Sequence, residues 1–184
     1  TISMTSTGAS TGTGITYQWM VSATSGGPYS NVSGGSGATT VSYTTGTLTA
    51  GVYYYVLQTT CTFGPLTGLS NEVTVTVNPS PTVTVTPTTA TYCSGGPAIA
   101  LTASGATTYS WGPAAGLSAT TGASVNASPA VTTTYTVTGT ASGCSSTATT
   151  TITFAETPAV TSVSATPSNV CSGGNSQLNV TGGT

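Results

Sequence analysis

The chain of 184 residues contains no Lys, no Arg, no His and no Asp; its only carboxylate side chains are Glu72 and Glu156. A typical soluble domain is about a quarter charged. General acid–base catalysis relies mainly on His, Asp, Glu, Lys, Tyr and Cys in mutually perturbing pairs. With most of that set missing, the sequence reads as a protein that is not an enzyme. Without cations it cannot neutralise phosphates, so nucleic acid is excluded as a partner, and anionic lipid with it. No apolar run approaches the ~18–20 residues of a membrane span, so no direct membrane insertion is expected. A zinc site lacks both His and any Cys-x-x-Cys spacing. Calcium needs clustered acidic oxygens, and an isopeptide cross-link needs Lys. No cofactor is implied. Glu72 and Glu156 read as solvated residues at equivalent unit edges or joints; standing in different units, they are a poor match for a two-carboxylate glycosidase site. Good helix formers are scarce as well. Thr1 follows no charged, apolar leader, which reads as a mature or excised segment.

What remains is rich in Thr, Ser and Val, with nine Tyr, 24 Gly and 10 Pro. Thr, Val and Tyr suit pleated, half-buried surfaces, and an all-β fold follows. The length suits sandwich domains of roughly 80–100 residues each.

The chain also repeats itself. Residues 86–96 read TPTTATYCSGG and residues 166–174 read TPSNVCSGG. Tyr17-Gln18-Trp19 recurs as Tyr109-Ser110-Trp111. A Tyr-rich segment ending near Cys61 recurs as Thr133–Thr138 before Cys144, and each is followed by a Thr/Val run. A period of roughly 80–90 residues is too long for a solenoid and suits whole β-domains. The frame gives residues 1–78 as one unit lacking its first strand, 80–155 as a complete unit, and 158–184 as the opening strands of a third. Pro-bearing joints at 78–81 and 155–158 read as stiff linkers. Period-two alternation in the complete unit predicts strands near 82–86, 98–104, 107–111, 123–127, 131–139 and 147–154. Val83 and Val85 share a face, as do Val131, Tyr135 and Val137, and Ile152 and Phe154. Residues 22–40 read as a loop.

Tyr17, Trp19, Tyr109, Trp111 and Tyr135 are the expected core aromatics. The alternative for the Tyr-x-Trp pairs is a platform for sugar rings. Tyr53, Tyr54 and Tyr55 must point to both faces of their strand, which makes them the candidate surface-contact aromatics. Cys93 and Cys144, the two cysteines of the complete unit, are the simplest disulfide candidates, with Cys61 and Cys171 as half-pairs. A bridge from one unit to the next is the alternative, since a simple immunoglobulin topology sets Cys93 and Cys144 at opposite ends. An oxidising, extracellular setting is the expectation. Asn31, Asn126 and Asn179 begin N-glycosylation triplets, which arise often by chance in such a chain.

The order CSGG, Tyr-x-Trp, Thr-Thr-Thr-Tyr-Thr-Val-Thr, Gly-Cys-Ser and a closing Thr/Val strand resembles the immunoglobulin-like and PKD-like tandem repeats of large secreted Bacteroidota cell-surface proteins. Gliding-motility adhesins exported by the type IX system are among them. The resemblance implies tandem immunoglobulin-like β-sandwich domains, end to end, at the cell surface, in stalks, filaments or adhesins. PKD-like relatives often carry acidic turns, which this chain lacks. The expected partners are neighbouring Ig-like domains or identical chains, and surface glycans. Three further readings stand beside the adhesive one: a carbohydrate-binding accessory module, a filament subunit completed by strand addition between chains, and ice binding through tracts such as Thr82–Thr86.

Overall fold

The computed structural model describes residues 1–64 and 66–182. Every regular element among them is a β-strand, in keeping with a chain rich in Thr, Val and Tyr. The chain divides into two compact units, Thr1–Pro79 and Ser80–Thr184.

Unit one carries β1 (Ser3–Thr5), β2 (Ile15–Ser22), β3 (Ser30–Asn31), β4 (Ser42–Thr44), β5 (Gly51–Cys61), β6 (Thr67–Leu69) and β7 (Val73–Val77). β1 pairs only with β4, while β3, β2, β5 and β6 form a second sheet in which β7 also pairs with β5. Met4 and Tyr43 from the small sheet meet Trp19, Tyr55, Leu57 and Val75 from the large one in a single core.

Unit two carries β8 (Thr84–Thr86), β9 (Thr89–Cys93), β10 (Ile99–Ser104), β11 (Thr108–Gly112), β12 (Ser124–Ala127), β13 (Thr133–Ala141) and β14 (Cys144–Ala155). Its sheets run β12-β10-β8 and β11-β13-β14-β9. Their inner faces meet in a sandwich-like core. Val85, Leu101, Ala103, Val125 and Ala127 come from one sheet, with Val83 just before β8, and Trp111, Tyr135, Val137 and Ile152 from the other. A fully buried side chain such as Leu101 or Ile152, both 0% exposed, contributes about 1.5–3 kcal/mol by leaving water. A separate hairpin, β15 (Val160–Thr166) with β16 (Gln177–Gly182), belongs to the same unit, and all its residues are exposed.

The two units share one register. Trp19 lies opposite Leu57 and Tyr17 opposite Thr59; Trp111 lies opposite Val137 and Tyr109 opposite Gly139. Met4 faces Tyr43 as Leu101 faces Val125. Each indole N–H donates to a backbone carbonyl at 2.9 Å, Trp19 to Thr40 and Trp111 to Gly122. The two CSGG turns also match, with Gly96 N–H on the Cys93 carbonyl at 2.9 Å and Gly174 N–H on that of Cys171 at 2.8 Å.

Three expectations need correction. Val131 does not share the face of Tyr135 and Val137: it precedes β13 and is 67% exposed. The 22–40 segment is not all loop, because Ser30–Asn31 pairs with β2. β9 was not anticipated; it runs parallel to β14, placing Cys93 beside Ala155.

Candidate functional site

A concavity of about 540 Å³ lies in unit one. One wall is the end of β1 and the residues after it, Thr5 to Ser10. Trp19, Leu57 and Thr59 line it from β2 and β5, and Gly68–Asn71 with Val73 complete the rim. Thr5, Ser6, Thr7, Ser10, Thr59 and Ser70 bring hydroxyls to this lining. A smaller concavity of about 240 Å³ shares Ser10, Thr59 and Gly68 and includes Cys61. Among the described residues β1 pairs with β4. No sequence motif marked the groove.

Glu72 builds a second feature. Where β14 runs unbroken, the corresponding edge of unit one is interrupted between β6 and β7. At the break the Ser70 backbone N–H donates to the Leu57 carbonyl at 2.9 Å, while its hydroxyl accepts from the Leu57 N–H at 2.9 Å. Glu72 is thereby turned toward the loop of residues 23–29 between β2 and β3. Its carboxylate accepts from the Ser25 hydroxyl at 2.8 Å, the Gly26 N–H at 2.9 Å and the Tyr29 hydroxyl. The Tyr29 bond above all, then those from Gly26 and Ser25, holds the Glu72 carboxyl below the usual carboxylate range. The same bond is the main cause that pushes the Tyr29 hydroxyl up. Glu72 is thus a loop clasp and not a merely solvated residue. Nor do the two carboxylates occupy equivalent places: Glu156 is exposed just beyond β14, whereas Glu72 precedes β7.

Among the aromatics, Trp19, Trp111 and Tyr135 are 3%, 5% and 0% exposed. Tyr17 and Tyr109 are half-buried and pack on the edge of each core. Their hydroxyls close the preceding turns: Tyr17 donates to the Ser10 carbonyl, and Tyr109 bonds the backbone of Ala106 at 2.7 and 2.8 Å. Of the three consecutive tyrosines, Tyr55 is 2% exposed and belongs to the core, because its β5 position faces Tyr43 and Val75. It is not a surface-contact residue. Tyr53 stacks on Tyr55 at 6.5 Å and bonds Thr49. Tyr54, on the opposite face, is half-buried.

The Cys93–Cys144 disulfide is overturned. Cys93 sits level with Ala155, at the far end of β14 from Cys144. At ~3.3 Å per residue the strand separates them by ~36 Å, far beyond the ~7 Å Cα limit of a disulfide. Cys61 ends β5 and Cys171 lies in the turn before β16. No disulfide is present among the described residues.

Fold and groove together define an all-β protein of sandwich-like units with hydroxyl-rich surfaces. Residues 1–79 match a family described as a domain of unknown function (DUF8696). No match to a curated protein was found.

Proposed function

We propose that the chain is a segment of a long extracellular surface protein or filament. In this reading it consists of tandem immunoglobulin-like units, end to end, acting as a stalk and a weak multivalent adhesin. The observation that carries it is the recurrence of one frame: a Trp at the same register position, with its indole N–H on a backbone carbonyl, in two successive units. The immunoglobulin-like part is supported by the strand orders β12-β10-β8 and β11-β13-β14-β9, in which the opening segment divides between the two sheets. The stalk part is supported by the Pro-bearing joints and by a frame that can be repeated indefinitely. The adhesive part is supported by the hydroxyl-rich, nearly uncharged skin: each contact is weak, and repetition raises avidity by ~10²–10⁴ without new contacts. A sugar-ring platform is less well supported, since Trp19 and Trp111 are 3% and 5% exposed.

Two measurements test the reading. Electron micrographs of the native protein should show a beaded thread. Particles displaying many copies should adhere to glycan-coated or abiotic surfaces at least about tenfold better than the single chain. A compact native particle, or one tight glycan-specific site in the single chain, overturns it.

A further inference from the structure

The outer face of the four-stranded sheet in unit two is a lattice of hydroxyls. Tyr135, Val137 and Ile152 point into the core, so the alternation along β13 and β14 sends their neighbours outward. Thr136 lies opposite Thr149, Thr138 opposite Thr147 and Thr140 opposite Ser145. The pairing of β13 with β14 runs without a break in register from Thr133 to Ala141, so these rows are continuous. β11 extends two of them with Ser110 and Thr108. At the far end Thr134 lies opposite Thr151, which in turn lies beside Thr89 of β9. Neighbouring positions of the lattice are therefore ~4.8 Å apart across the strands and ~6.7 Å apart along them.

These hydroxyls are free. Among the described residues only Thr134 and Thr151 bond each other on this face, at 3.0 Å, and none of the lattice residues is buried. On the opposite sheet the facing hydroxyls are engaged with one another, Thr84 with Ser104 at 2.8 Å and Thr102 with Ser124 at 3.4 Å. The Thr82–Thr86 tract belongs to that side and is not part of the lattice. Nor does the framework demand threonine. At the same register positions unit one holds Gln18 opposite Gln58 and Met20 opposite Val56. Threonine adds one property that serine lacks: its branched Cβ restricts the rotamers, so each hydroxyl keeps a fixed place beside its methyl. No charge and no aromatic ring interrupts the rows.

These properties define the occupant. A charged surface finds no counter-charge on this face. A single sugar chain is held by apolar and aromatic walls, and no ring stands here. The face suits an uncharged solid whose hydrogen-bonding groups repeat in two dimensions at similar spacings. Ice is such a solid. Each of its waters donates and accepts, as each Thr hydroxyl does, and the oxygen repeats of its prism face are close to those of the lattice.

We propose that the outer face of the β11-β13-β14 sheet adsorbs to ice. A water held between two rows bonds a hydroxyl and keeps bonds for the next layer, so the crystal continues from waters that the Thr rows have already placed. No single contact is strong, and the chain is held by the number made at once. The site needs one face of one complete unit and neither a repeat nor a filament, so it stands apart from the adhesive reading.

The test is incorporation of the intact chain into a slowly grown ice front, with the thermal hysteresis of its solution. The chain should enter the ice at least about tenfold more than a non-binding protein of like mass, and growth should halt just below the melting point. Thr138→Lys with Thr149→Lys, two outward positions inside the lattice, should lower incorporation about tenfold and leave the circular dichroism unchanged. Thr138→Ser with Thr149→Ser keeps the hydroxyls but frees their rotamers, and should lower incorporation in the same direction. Thr16→Lys with Gln58→Lys sets the same charges on the outer face of unit one and should leave incorporation as it was. Exclusion of the chain from ice overturns the proposal. So does incorporation that survives both lattice variants, or that falls equally with the unit-one variant. Binding to crystalline cellulose or chitin that the lattice Lys variant abolishes, in a chain that ice excludes, also overturns it and assigns the face to a solid polysaccharide.

Discussion

Glu72 is a single carboxylate fixing a loop that has little else to order it. Because the clasp lowers the Glu72 pKa, its contribution is complete above the ordinary Glu value of about 4.3 and is lost as pH falls through the lower folded value. Because the same contact raises Tyr29, the contribution is also complete below about 10 and fades as pH climbs through the raised value. The Gly26 amide and the Tyr29 ring should therefore hold constant NMR shifts from mid-acid to mid-alkaline pH and move together at both extremes. Glu72→Gln should abolish the acid movement of Gly26, and an unchanged acid limb would refute the clasp. A second single-atom effect belongs to unit two. Tyr135, 0% exposed, donates to the Ala115 carbonyl at 2.7 Å. Tyr135→Phe keeps the ring and leaves that carbonyl without its donor, so chemical denaturation should show a loss of about 1–1.5 kcal/mol.

β8 is three residues long, and its docking depends on Gly139, where an added Cβ would come within 2.5 Å of Val83 Cγ2. Gly139→Val should force Val83 off its seat, lowering stability by about 1–3 kcal/mol in thermal melts. Thr59→Val, at the same register position but beside an open groove, should change the melt far less. An equal cost at both positions would mean that the two places are not packed differently. The β13–β14 hairpin makes a sharper prediction. Non-reducing peptide mapping of the native protein should contain no Cys93–Cys144 linkage, and Cys93→Ser should leave the melting temperature of unit two unchanged. Finding that linked peptide would sink the strand register. Elements such as these also show how far sequence reaches. Tyr-x-Trp, Thr133–Val137 and Thr149–Phe154 were readable because a period of two puts every second residue on one face, and that face was apolar. β9 was not readable: its Thr-Ala-Thr-Tyr-Cys run looks like the approach to the CSGG turn, and only the distant parallel partner β14 makes it a strand. Val131 fits the alternation but falls outside it, because β13 starts at Thr133 and the Thr133 hydroxyl turns back to the Val131 carbonyl at 2.8 Å. The Glu72 clasp left one weak trace, a polar Ser-Asn-Glu just before the Val73–Val77 run.

At the scale of the whole molecule, charge is almost removed from the stability balance. The side chains carry a net −2 and no cation, so salt has few attractions to screen. No side chain has an ordinary pKa between about 5 and 8, because His is absent. The groups whose values shift in the folded protein lie at the two ends of the scale. Glu72 is lowered, whereas burial raises Tyr43 and Tyr55 in the core of unit one and Tyr135 in that of unit two. A raised tyrosine contributes stability that is whole below about 10 and declines as pH rises through the folded value. Denaturant midpoints should therefore form a plateau from about pH 5 to pH 8. The acid shoulder should come from unit one alone, because the shifted carboxylate is there. The alkaline decline should appear in both units, because each buries a tyrosine. Across the plateau, moving from low salt to molar NaCl should shift stability by no more than about 0.5 kcal/mol. A slope within that window, or a strong dependence on NaCl, would require ionic contacts that this composition has no residues to make.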